Sequence, residues 1–127
     1  MQDLDEKELQ KMLLPLVSEY IEEQKKELKE PFKFTTWDKP VKFKKAITGK
    51  MIDEVLGIVE EMKKDPKDKM KQVYCNIKIF KIFVDDKQLP TNVKEDFESE
   101  PESEWWMEQD YYKIQLKVQF FRGRAGV

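Results

Sequence analysis

The chain of 127 residues contains no histidine, and that absence removes more function classes than any other feature. Without an imidazole there is no Ser-His-Asp or Cys-His nucleophile pair, no proton shuttle with a pKa near neutrality, and no His-bearing zinc or iron site. Cysteine is nearly absent too. Cys75 is alone, so it forms no intramolecular disulfide, and a reducing compartment is expected. As a nucleophile it has no base to lower its pKa, and the simpler reading is a small buried hydrophobe. Only four glycines occur, at positions 49, 57, 123 and 126, which rules out a glycine-rich dinucleotide fingerprint. Thr48-Gly49-Lys50 suggests a phosphate loop, but the glycine required five residues before the Gly-Lys pair is replaced by Lys44. No apolar run approaches the ~18 residues of a membrane helix, and the first 25 residues have no signal-peptide pattern. A cytoplasmic protein is therefore expected.

Charge, by contrast, is abundant but balanced: 24 Lys and Arg against 26 Asp and Glu, a net charge of −2. No global field attracts nucleic acid or an anionic membrane. The balance hides a dipolar chain. Residues 31–50 carry six lysines and one acid, whereas residues 93–112 carry eight acids and one lysine. Carboxylates are the only groups left for acid–base or metal chemistry, and they are densest at Asp85-Asp86 and in the run Glu98, Glu100, Glu102, Glu104. A magnesium enzyme needs carboxylates converging from rigid elements. A solvated turn and an acidic loop over 94–110 are the simpler readings, so no catalytic, metal or cofactor site is expected.

Hydrophobic periodicity supplies the expected architecture. Residues 3–30 repeat Leu9, Leu13, Leu16, Val17, Tyr20, Ile21 and Leu28 at helical steps. Asp5 and Glu8 resemble a capping box, and Pro15 implies a kink, or a short helix before it and a longer one after it. Two short alternating runs, residues 32–37 and 41–44, flank Asp38-Lys39-Pro40 and predict a hairpin. Thr48 is a candidate N-cap for a helix whose stripe is Met51, Ile52, Val55, Leu56, Val59 and Met62, ended by Asp65-Pro66. Residues 72–85 alternate as a strand with a change of phase near Ile79-Phe80, which either a β-bulge or burial of both faces at the strand's end would absorb. Tyr112, Ile114, Leu116, Val118 and Phe120 alternate with Lys113, Gln115, Lys117 and Gln119, the pattern of a strand covered on one face. Residues 123–127 read as a frayed tail. The expectation is a single α+β domain over 1–127, order α-β-β-α-β-β, with two helices on one face of a four-stranded antiparallel sheet.

Two features suggest function. The first is the segment 100–108, where Trp105, Trp106 and Met107 sit among Glu98, Glu100, Glu102, Glu104 and Glu108. Adjacent tryptophans on an extended chain point oppositely, so one can enter the core while the other needs a second role. Aromatic and Met side chains ringed by acids have the composition of an interface hot spot, steered toward a protein partner with a basic patch. The second is a lysine-rich sheet face, Lys42, Lys44, Lys78, Lys113 and Lys117, that would hold single-stranded nucleic acid beside aromatics. Because 22 of the 24 basic residues are lysine, bidentate arginine readout of bases is essentially absent. A non-enzymatic protein-binding module is thus expected, with nucleic-acid binding or a virion structural role as alternatives.

Lys7-Glu8-Leu9-Gln10-Lys11-Met12-Leu13 is similar to the Lys-Glu-Leu-x-Lys-Met-Leu opening of a family of small anti-CRISPR proteins. These come from rod-shaped viruses of hyperthermophilic archaea and block type I-D effector complexes. Glu104-Trp105-Trp106 followed by Tyr111-Tyr112 resembles that family's Glu-Trp-Trp tail. Together the matches cover about a quarter of the chain. The resemblance implies an α+β homodimer that inhibits a large host complex by binding it. The Lys- and Glu-rich composition suits a thermophile, and equally a low-GC bacterial phage or chromosome.

Overall fold

The computed structural model describes residues 31–127; the expected helix over 3–30, with its Asp5–Glu8 box and Pro15 kink, lies outside the described residues. Among the described residues there are five α-helices and no sheet. They are α1 (Gly49–Lys64), α2 (Lys69–Phe83), α3 (Thr91–Glu98), α4 (Glu104–Met107) and α5 (Tyr111–Ala125), with a 3-10 turn at Asp86–Gln88 before α3. The four-stranded α+β sheet is therefore wrong, and both long segments expected as strands are helices.

The helix of α1 forms where the sequence placed it. Thr48 accepts a hydrogen bond from the Met51 N–H at 3.3 Å, and Lys63 and Lys64 lie in the last turn, where the dipole favours cations. Met51, Val55 and Val59 are buried, whereas Leu56 faces out. Gln72, from α2, closes the C-terminal end by donating to the Met62 and Asp65 carbonyls, both at 3.0 Å.

α2 is the central element and packs against both α1 and α5. Its phase change at Ile79-Phe80 is helical spacing rather than a bulge. Asn76, Ile77, Phe80 and Phe83 recur at three- and four-residue steps on the buried side, while Lys71, Tyr74, Lys78 and Lys81 repeat on the wetter one. Asp68 caps it, accepting from the Lys71 N–H at 3.0 Å. Likewise Ile114, Val118 and Phe121 turn inward on α5, Tyr112 and Phe120 turn out, and Asp110 caps the start. The expected frayed tail is the last turn of this helix, closed by Gly126 in the left-handed region, φ 74°. A side chain there would be strained, so glycine suits the position.

Residues 31–48 are mostly extended but make isolated bridges only, Phe34 with Trp37 and Phe43 with Val84. The chain reverses at Thr35-Thr36, not at Asp38-Lys39-Pro40, with Trp37 N–H donating to the Phe34 carbonyl at 3.3 Å and Val41 N–H to Phe32 at 2.8 Å. The segment then crosses the end of α2, where Lys44 N–H donates to Phe83 and Asp85 N–H to Lys42. Gln88 supplements this by bridging both backbone groups of Lys42 at 2.7 Å. The core is aromatic: Phe32, Phe34, Phe80, Phe83, Phe97 and Trp106 are each under 5% exposed. Phe83 and Phe121 stack with ring centroids 4.7 Å apart.

Candidate functional site

The acidic stretch expected as a loop over 94–110 is a folded corner made of α3, a turn and α4. Ser103 N–H donates to Glu100, the Ser99 and Ser103 hydroxyls meet at 2.8 Å, and Pro101 is buried beneath the turn. Trp106 fixes the corner. It is 1% exposed, its indole N–H donates to the Phe97 carbonyl at 3.3 Å, and its ring meets Phe34, Phe80 and Phe97 edge-on or tilted. Trp105 lies across the rim, half-buried, packing on Phe34 and donating to Thr36 Oγ1 at 3.1 Å. Gln109, itself buried, accepts from Thr35 N–H at 2.9 Å and donates to the Trp105 carbonyl at 2.7 Å, tying the extended segment to α4.

Of the residues singled out for partner binding, the fold thus spends Trp106 on the core and half of Trp105 on its edge. Met107 is 40% exposed, and Glu98, Glu100, Glu102, Glu104 and Glu108 all face solvent. Among the described residues, only Glu98 of these five has an ion pair, with Lys94 at 4.0 Å.

The lysines grouped on an imagined sheet face do not share one. Lys113 and Lys117 are half-buried on α5, where Lys117 lies over the Phe43 ring at 5.9 Å and burial lowers its pKa. Lys42 borders the 3-10 turn. Lys44 and Lys78, however, meet at an open groove of about 670 Å³, which the sequence did not reveal. One wall is the Glu54, Gly57, Ile58, Glu61 stripe of α1; the other is Lys78, Lys81 and Ile82 of α2. Phe97 and Lys44 complete the lining. A one-turn stripe of this kind is legible only once residues 72–85 are known to be helical.

The charges in the groove are unequally satisfied. Glu61 accepts from Lys64 at 3.0 Å and lies 3.8 Å from Lys71, so its carboxyl is held below the usual range, chiefly by Lys64. Lys44 and Lys78 form no ion pair among the described residues. Lys81 is half-buried; its ammonium donates to the Ser99 carbonyl at 3.1 Å and lies over the Phe97 and Trp106 rings. Burial pushes its pKa down, while Glu100 and Glu98 pull it back up.

The other candidate groups are structural in this fold. Asp85 caps the 3-10 turn by accepting from Lys87 N–H, Gly49 and Lys50 open α1, and Cys75 is buried on α2, which raises its thiol pKa. Among the described residues, no three of His, Cys, Asp or Glu converge as metal ligands, and no helix is long and apolar enough to cross a membrane. Comparison of the chain with family models, curated proteins and solved structures found no match.

Proposed function

We propose that the protein is a non-enzymatic protein-binding module whose recognition surface is the groove between α1 and α2 together with the acidic corner beside it. The observation that carries this reading is their juxtaposition. An apolar floor of Ile58, Ile82 and Phe97 lies next to exposed, largely unpaired carboxylates on a rigid turn. Phe97 belongs to both features, and Glu102 lines a second depression with Lys78 and Tyr74. Apolar ground for anchors, with charge at the rim to orient a partner, is the usual anatomy of a protein contact. The narrower reading, a viral inhibitor of a large host complex, is supported only by the resemblance of Lys7–Leu13 and Glu104–Trp106, and in this fold the Trp pair serves chiefly as packing.

The test is capture from nuclease-treated lysate on the immobilised full chain, beside a Glu100→Lys, Glu102→Lys, Glu104→Lys variant. These three side chains are exposed, but Glu100 also supports the Lys81 ammonium, so circular dichroism of the variant first checks that it keeps the fold. A protein retained by the wild type and lost by the variant supports the reading. If the chain retains only nucleic acid, in untreated lysate and with steep salt dependence, the module is a nucleic-acid binder instead.

A further inference from the structure

Gly57 is a glycine that the described fold does not require. It lies inside α1, where glycine costs about 1 kcal/mol relative to alanine. Its φ is ordinary, and among the described residues a Cβ built on it meets nothing within 4 Å. Close helix packing and a left-handed backbone are the usual reasons for such a residue, and neither applies among the described residues. What Gly57 does is open the α1 wall of the groove, between Glu54 and Glu61 and beside Ile58.

The charges of the groove point the same way. Glu61 is already engaged by Lys64 and Lys71, and the Lys81 ammonium is turned to the Ser99 carbonyl and supported by Glu98 and Glu100. That leaves Lys44 and Lys78 above an apolar floor as the two groove lysines that form no ion pair among the described residues, with Glu54 and, at longer range, Glu61 the nearest acids of the lining. An open, two-helix groove with this lining fits an amphipathic segment better than a small molecule, which needs enclosure on most sides.

We propose that the groove seats an amphipathic segment of a partner protein. Its apolar side chains rest on Ile58, Ile82 and Phe97, its carboxylates pair with Lys44 and Lys78, and its backbone passes close to α1 at Gly57. This inference rests on the protein-binding reading and adds the chemistry of the partner: acidic and apolar where it enters the groove.

A display library of random peptides, selected on the full-length chain, tests this without presupposing the sequence. The expected winners place Asp or Glu beside Leu, Ile or Phe at helical spacing. A synthetic winner should bind the Lys44→Glu, Lys78→Glu variant about tenfold more weakly or worse, the scale of a lost anchor. Gly57→Leu should do the same while keeping or raising the melting temperature, because it improves helix propensity and fills only the groove. Gly123→Ala, on α5 with equally open surroundings, should leave binding unchanged. Winners that are basic and depend on Glu100, Glu102 and Glu104 overturn the groove proposal and leave the protein-binding reading standing. So does binding that survives Gly57→Leu. A library that yields nothing overturns the groove proposal, and a lysate capture that also retains no protein overturns both.

Discussion

At the scale of single residues, neighbours in the chain have opposite fates. Trp106 is enclosed by three phenylalanine rings and Trp105, so replacing it with alanine opens a large cavity and should cost about 3–5 kcal/mol. Trp105→Ala loses ring contacts and one hydrogen bond at a half-solvated edge, and should cost about 1–2 kcal/mol. Urea unfolding of the two variants checks the order; equal losses would contradict the described packing. Gln109 is a polar counterpart, since its amide satisfies Thr35 and Trp105 together. Gln109→Ala should cost about 1–3 kcal/mol by the same measurement. Lys81 adds a pH dependence. Its folded pKa lies below its unfolded value, so between the two the unfolded chain binds more protons, and stability rises with pH. The penalty for burying this ammonium is therefore present at neutral pH. It fades as pH climbs through the lowered pKa toward the ordinary value of 10.5. The stability of the wild type relative to Lys81→Met should accordingly increase between neutral and alkaline pH. A flat difference would mean that the Ser99 carbonyl and the rings fully offset the lost hydration.

At the scale of elements, the helices are started by short polar side chains and stopped by specific residues. Thr48, Asp68 and Asp110 each accept from a backbone N–H three residues on. Asp68→Ala and Asp110→Ala should each cost about 1 kcal/mol, read from thermal unfolding, and Asp→Asn at either site should cost little. The Thr48 signal is legible because an unambiguous apolar stripe lies directly after it. Asp68 and Asp110 are equally visible, but residues 72–85 and 112–120 alternate, and a cap carries no weight in front of an expected strand. The ambiguity is geometric. Residues four apart lie on one face of both a strand and a helix, so Ile114 and Val118, or Phe80 and Val84, satisfy both periods. The residues that discriminate are Ile79 beside Phe80, Phe121 three after Val118, and the Lys78–Lys81 step. A bulge accounts for the first of these, which lets the alternation prevail in a local reading. Gly126 is a stop signal that, close to a second glycine and the end of the chain, resembles fraying.

At the scale of the whole molecule, circular dichroism of the chain should be dominated by the helical double minimum, and a β-type spectrum would overturn the described fold. Composition excluded histidine chemistry and an intramolecular disulfide within these residues, and the Lys44 position excluded a phosphate loop at Thr48-Gly49-Lys50, whatever the fold. The pattern of residues 48–65 determined α1, because its stripe fits a 3.6-residue period and no other. Only the tertiary structure decided that residues 72–83 and 112–120 are helical, because β-branched residues prefer strands by no more than about 1 kcal/mol each, less than the burial gained on a shared aromatic core. It also decided which tryptophan is enclosed, and that Gly57, Lys44 and Lys78, up to 34 positions apart in the chain, line one groove. Those outcomes depend on which side chains meet across helices, and contact between distant segments has no signature in local spacing.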